Sequence, residues 1–259
     1  MAPRTIMSLL LSTLLALPSV ALSEEAPKPA PKPAPIWNYF GGANDDEGWE
    51  ELSPDFALCK YGDRQSPIAF YDTKRSAMPP LELSYRTSKV RFEKKDRTMV
   101  IDFSGNNTLK DHNKTYKLVQ MRLHTPAEHQ ILNLDLHPME LQLIHKDKKG
   151  NMLIMSIFGA RGPEEHLGLQ ALLDTMPIVA KKVVEASFNP ETLLPDKAGY
   201  YAYSGSLSWP PCTEGVEWRV RKQAISISKE QMKAMGKLFG RNARLQQQHY
   251  MRPIRETLH

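Results

Sequence analysis

In the stretch LVQMRLHTPAEH, residues 118–129, Gln120, Arg122 and His124 recur at every second position, interleaved with Met121 and Leu123. Side chains alternate across a β-strand, so the three polar groups share one face and the two apolar ones share the other. A second run, MELQLIHK at 139–146, puts Glu140, Gln142 and Ile144 on one face in the same way. Two kinds of chemistry come into question. Alternate positions of one strand can aim two ligands at a single metal ion, and His124 is a competent ligand. Arg122 is not, because a guanidinium keeps its proton and offers no lone pair. Ser208, His124 and Glu128 also supply the hydroxyl, imidazole and carboxylate of a hydrolytic triad, provided the fold brings them together.

The elements that must position these residues are mostly strands. Short β-type runs separated by turn residues are LELSY (81–85), KVRFE (89–93), TMVIDF (98–103), YKLVQMRLH (116–124), MELQLIHK (139–146), NMLIMSIF (151–158) and VEWRVRK (216–222). Helical patterns are fewer. One covers 168–183, with Pro177 dividing it, and another covers 228–239, where Ser228 and Gln231 fit an S-x-x-Q capping box. From Trp37 to Pro67 the chain has two Trp and little periodicity, and reads as an irregular segment pinned by aromatics. The expectation is a single, mostly β domain of α+β type, with a large sheet and a few surface helices.

The whole chain bounds what this domain does. Its 259 residues are 41% hydrophobic and 24% charged, an ordinary globular composition. The net charge of +5 is spread in small groups such as Lys146, Lys148 and Lys149, broken by acidic residues. Solvated faces explain it better than a nucleic-acid surface, which would need a dense basic stripe with interleaved aromatics. Residues 1–23 read as a secretory signal: Arg4, an apolar run from Ile6 to Leu17, and the Ala21-Leu22-Ser23 box, with cleavage after Ser23. Retention of this segment as an anchor is the alternative. Residues 24–36, rich in Pro, Lys and Ala, read as an extended spacer, and the folded domain is expected over 37–259. No later apolar run is long enough to span a membrane after signal removal. In an oxidising compartment the only two cysteines, Cys59 and Cys212, are expected to form a disulfide, with two free buried thiols as the alternative.

Several of these segments together carry a resemblance. QMRLHTPAEH followed by ELQLIH is similar to the metal-site strands of the α-class carbonic anhydrases. GSLSWPPCTEGVEW (205–218) is close to that family's G-S-L-T-T-P-P-C-T-E-G-V segment, and YGDRQSPI (61–68) and MRP (251–253) also resemble it. The matches run in order from Trp37 to Pro253. The resemblance implies a central, twisted, largely antiparallel sheet of about ten strands and a conical cavity leading to zinc. It also implies three His ligands, two at i and i+2 on one strand and one on its neighbour. Zinc lowers the pKa of a bound water to about 7, and the resulting hydroxide attacks CO2.

The resemblance departs at the metal. The three ligand positions correspond to Arg122, His124 and Gln142. Arg122 would also set a positive charge a few ångströms from a dication, a repulsion on the order of 4 kcal/mol at an effective dielectric of 20. The family's proton-shuttle His corresponds to Arg97. The Thr that orients zinc-hydroxide corresponds to Ser208, and the Thr beside the substrate to Trp209, whose indole would fill substrate space. Gln120 and Glu140 match groups that orient ligand imidazoles, and Glu128 matches the acceptor for the Thr hydroxyl. Ile144, Ile154, Leu207, Val216 and Trp218 match the apolar wall. An unpaired buried Arg122 would cost several kcal/mol, so its guanidinium is expected to pair with Glu128 or Glu140.

Bland readings are preferred for the other histidines. His145 shares the apolar face of its strand and reads as packed. His129, beside Glu128, reads as a structural hydrogen-bonding group. His112, His137, His166 and His249 have no common spacing, and Ser66 with Tyr203 reads as a packing pair. The resulting expectation is an exported carbonic anhydrase-like protein, similar to the carbonic anhydrase-related proteins. It would be catalytically inactive, take no cofactor and bind an unidentified protein or envelope partner in a bacterial periplasm or outside the cell. The alternatives are a zinc-dependent carbonate dehydratase with an altered metal shell, and an esterase using the same cleft.

Overall fold

The computed structural model describes residues 35–39, 45–95, 98–131, 134–177, 183–196 and 199–258. Residues 1–23, read as a secretory signal, residues 24–34 of the stretch read as a spacer, and Arg97 lie outside the described residues.

The strands are β1 (Ala69–Phe70), β2 (Lys74–Ser76), β3 (Glu82–Ser84), β4 (Ser88–Lys95) and β5 (Thr98–Ser104). They continue as β6 (Thr108–Asp111), β7 (Lys114–His124), β8 (Gln130–Ile131), β9 (Met139–Lys146) and β10 (Met152–Arg161). The last five are β11 (Val183–Phe188), β12 (Tyr200–Ser206), β13 (Glu214–Arg221), β14 (Ile225–Ile227) and β15 (Arg255–Thr257). The helices are α1 (Trp49–Leu52), α2 (Leu58–Tyr61), α3 (Leu167–Thr175) and α4 (Lys229–Phe239). A 13-stranded sheet runs β11-β4-β5-β7-β9-β10-β13-β12-β15-β2, with β14 beside β10 and β3 and β6 joined through β7. It is wider than the expected ten or so strands because short pieces such as β2, β14 and β15, which carry no periodicity of their own, add to it. Most neighbours are antiparallel, while β10–β13, β10–β14 and β15–β2 are parallel.

Period-two alternation divides the interior into two apolar clusters. Met121, Leu123, Leu141 and Leu143 point to one face, where they pack with Leu169 and Leu172 of α3 and Met235 and Phe239 of α4. Ile144, Ile154, Val216 and Trp218 point to the other, with Tyr39, Trp49, Leu207 and Trp209. A register shift between Leu118 and Gln120, where β7 meets β9, sets which residues of β7 face this second cluster. The N-terminal segment is pinned as expected, with Trp37, Tyr39 and Trp49 meeting edge to face.

Helix α4 begins with the full capping box: the Ser228 side chain accepts from the Gln231 backbone and the Gln231 side chain from the Ser228 backbone. The helix expected over 168–183 is shorter. α3 ends at Thr175, before Pro177, and Val183 and Val184 belong to strand β11 at the sheet edge. Pro177 lacks the N–H that would continue the helix, and β-branched valines suit the strand that follows. Cys59 and Cys212 form a disulfide that closes a sequence separation of 153 residues.

Candidate functional site

Strands β7 and β9 build the floor of the site. In their antiparallel register Arg122 stands opposite Gln142 and His124 opposite Glu140. Arg122 is half-buried, while His124, Glu128, Glu140, Gln142 and Ser208 are fully or almost fully buried.

The Arg122 guanidinium lies face-on to the indole of Trp209, its central carbon 3.7 Å from the ring centre. Its Nε donates to Gln120 Oε1 at 3.0 Å, and the Gln120 amide donates onward to Asp102 Oδ1 at 2.9 Å. Gln120 therefore orients Arg122. The expected ion pair to Glu128 or Glu140 does not form: among the described residues those carboxylates pair with His124 and His129 instead. The reason is competition. Glu140 Oε2 accepts from the backbone N–H of Glu128 and of His129, each at 2.9 Å. Its Oε1 accepts from His129 Nδ1 at 2.8 Å, Ser156 Oγ at 2.6 Å and Gln142 Nε2 at 3.4 Å. Glu128 accepts from Gln142 Nε2 at 2.6 Å and from the Arg244 backbone N–H at 2.9 Å. Donors supplied by the fold have taken both carboxylates.

The electrostatics follow from this arrangement. Burial alone would push the Glu140 carboxyl up, but His129 and the donors around it hold it at about 2. Burial lowers Arg122 from the ordinary guanidinium range, opposed by its neighbours Tyr39, Glu128 and Asp102. Burial, and then Glu128, raise the Tyr39 phenol. Arg244 is lowered to about 10 by burial, and donates to Gln65 Oε1 and to the carbonyls of Ser66 and Cys59.

His124 is oriented from a distant loop. Its Nδ1 lies 2.8 Å from the Asn242 carbonyl oxygen, which can only accept, so in the neutral ring Nδ1 carries the proton and Nε2 the lone pair. Asn242 is itself braced, its amide donating to the Leu123 carbonyl at 2.8 Å and its Oδ1 accepting from the Thr125 N–H at 2.6 Å. The Tyr39 ring meets the His124 ring edge to face at 5.7 Å. Among the described residues, three buried polar atoms here, His124 Nε2, Gln142 Oε1 and Ser208 Oγ, have no hydrogen-bond partner, while the Tyr39 hydroxyl lies beside Arg122 and Thr98.

Sequence reading placed Arg122, His124, Gln142, Glu128, Glu140, Gln120, Ser208 and Trp209 in one site. The β7–β9 register and the hydrogen bonds above link the first six, and Trp209 lies on Arg122. Ser208 is buried next to Trp209 in the chain, without a side-chain hydrogen bond to the others among the described residues. Ile144, Ile154, Leu207, Val216 and Trp218 are buried in the apolar cluster that contains Trp209. Two expected roles differ. Glu128 does not hold the Ser208 hydroxyl, because Gln142, Arg244 and His124 occupy it. The hydrolytic triad is not assembled: His124 meets Glu128 through Nδ1, and among the described residues neither Ser208 Oγ nor His124 Nε2 has a partner. Tyr39, Asn242 and Arg244 were not anticipated. Tyr39 lies in the segment read as aromatic-pinned, and no local pattern marks the other two. Among the described residues, no group of three or more His, Cys, Asp or Glu side chains is arranged to hold a metal ion.

His145 Nδ1 faces the Leu153 carbonyl, its Nε2 is 2.6 Å from the Tyr85 hydroxyl, and burial lowers it to about 4. His129 links Glu140 to the Tyr203 hydroxyl, which is 2.9 Å from Ser66 Oγ.

The family model for eukaryotic-type carbonic anhydrase matches residues 44–259. The chain belongs to the α-type carbonic anhydrase family. A carbonic anhydrase of Neisseria gonorrhoeae is 34% identical over 206 residues, covering 79% of this chain and 81% of that protein. A solved Photobacterium profundum α-carbonic anhydrase is 32% identical with a TM-score of 0.79, covering 85% of this chain and 100% of the other. A dioscorin solved in complex with ascorbate is 27% identical with a TM-score of 0.79, covering 85% of this chain and 97% of the other.

Proposed function

We propose that this protein is an exported, non-catalytic binding module built on the α-carbonic anhydrase fold. The observation that carries the reading is Arg122: its guanidinium lies against Trp209 and is tied to Gln120, on the strand face where the family resemblance places a zinc ligand. The donor set does not fit zinc. His124 Nε2 offers one imidazole lone pair and Gln142 Oε1 one amide oxygen, while Arg122 adds a fixed positive charge. Trp209 occupies the place of the smaller residue beside the substrate, so the loss of metal affinity and of substrate space would go together. Export is supported by the N-terminal apolar segment, the Cys59–Cys212 disulfide and the bacterial relatives. The partner on this reading is a protein or another component of the cell envelope.

Elemental analysis of the purified protein, with stopped-flow CO2 hydration on the same sample, tests the reading. The expected result is no stoichiometric zinc and hydration at the buffer rate. The second reading, a carbonate dehydratase with an altered metal shell, is favoured by the retained lone pair of His124 and by relatives named as carbonic anhydrases. About one zinc per chain with inhibitor-sensitive hydration would establish it and overturn the first.

A further inference from the structure

Two leucines stand out of the protein on the loop between β8 and β9. Leu134 is 51% exposed and Leu136 42% exposed, and both line one open groove of about 580 Å3. Pro138, and Met232 on α4, continue its apolar lining. Single leucines scattered on a surface need no explanation, but apolar side chains gathered in one groove mark a contact site.

The loop that carries them is tied down. The Leu134 backbone N–H donates to the Ile131 carbonyl at 3.1 Å, and the Leu134 carbonyl accepts from the Gln130 side chain at 3.3 Å. The His137 carbonyl accepts from the Ala127 N–H at 3.0 Å, and the His137 ring stacks on Phe158 with centroids 4.6 Å apart. The backbone therefore presents both leucines in a set position, which lowers the ordering cost when a partner covers them.

Charge selects the occupant. The loop contributes Asp135, between the two leucines, and the end of β10 contributes Arg161. Among the described residues neither side chain is engaged by an ion pair or a hydrogen bond. A two-fold contact sets the same patch on both sides, so residue i meets residue j and j meets i. A patch with one acid and one base satisfies itself under that operation, because Asp135 of each copy faces Arg161 of the other. A groove of one sign would repel its own copy and suit a partner of opposite charge.

We propose that this groove is a self-association surface whose occupant is a second copy of this chain, in a two-fold dimer. Leu134, Leu136, Pro138 and Met232 bury against the other copy, and the two Asp135–Arg161 pairs fix the register. Eight residues line the groove, against the roughly 20–30 a side of a standard stable interface, so the dimer is of the weak, concentration-dependent class. The inference does not depend on how the Arg122 site is read.

Sedimentation velocity of the purified full chain at low ionic strength, from about 1 to about 500 μM, is the experiment. A shift from monomer to dimer is expected, with its midpoint at about micromolar concentration or above. Leu134→Asp with Leu136→Asp should raise the dissociation constant at least about tenfold, since each change enters the interface twice. Asp135→Arg and Arg161→Asp should each weaken association at least about tenfold, and the two together should restore it to within about threefold of wild type. All four side chains are exposed, so the variants keep the fold, and circular dichroism checks this. Protein that stays monomeric up to about 500 μM overturns the inference and leaves the groove to a different partner. Growth past the dimer also overturns it, because a two-fold contact closes. So does association that the leucine pair or the single charge reversals leave unchanged, or that the double reversal fails to restore.

Discussion

Glu140→Gln is the substitution whose cost the geometry states most directly. The carboxylate is fully buried and accepts from five donors, two backbone N–H groups on Oε2 and His129, Ser156 and Gln142 on Oε1. Glutamine keeps one oxygen and turns an NH2 toward donors on the other side, so at least two bonds to a charged acceptor are lost. At ~1.5–3 kcal/mol each, the destabilisation is roughly 3–6 kcal/mol at neutral pH. The pH dependence supplies an independent check. The folded carboxyl is held at about 2, below its ordinary 4.5. A depressed acid contributes stability that is present above the unfolded value and lost as pH falls toward the folded one. The gap between wild type and Glu140→Gln should therefore be full above pH 4.5 and shrink toward pH 2. Urea unfolding of both proteins across that range measures it. A gap under ~1 kcal/mol at pH 7, or one that stays constant down to pH 2, would refute the assignment of Glu140 as an ionised hub.

Other outcomes follow from the same contacts. Cys59→Ser with Cys212→Ser opens a loop of 153-residue separation and should lower stability by about 4–5 kcal/mol in the chain-entropy model, while denatured wild-type protein should show no free thiol by titration. Tyr85→Phe leaves His145 Nε2 buried without its donor and should cost ~1–3 kcal/mol by chemical denaturation. Because the folded His145 is lowered to about 4 from 6.5, its neutral form favours the native state, and stability should decline as pH falls from 6.5 toward 4. NMR titration of the His145 ring reads that directly. Arg122→His combined with Gln142→His puts imidazoles beside His124 on facing strands and should restore about one zinc per chain by elemental analysis, with hydration staying low until Trp209→Thr is added.

What could be read from the chain alone was what depends on near neighbours. Alternation in 116–124 and 139–146 decided which side chains share a face, because successive residues of a strand point oppositely whatever the fold. Ser228 and Gln231 marked a helix start because the capping box closes within four residues. The composition of the site residues, with Arg at 122 and Gln at 142, was also there to read, and it bore on metal chemistry before any geometry was known. Tertiary structure decided who meets whom. The β7–β9 register set Arg122 opposite Gln142, and a loop far along the chain laid Trp209 on the guanidinium. The carboxylates expected for Arg122 went to His129, Gln142 and the Arg244 backbone instead. Asn242 and Arg244 reach the site from beyond α4, and Tyr39 from before α1. Such pairings could not be read locally, since hydrogen-bond partners are chosen by competition among all groups that packing brings within reach, and periodicity records only a residue's own strand or helix.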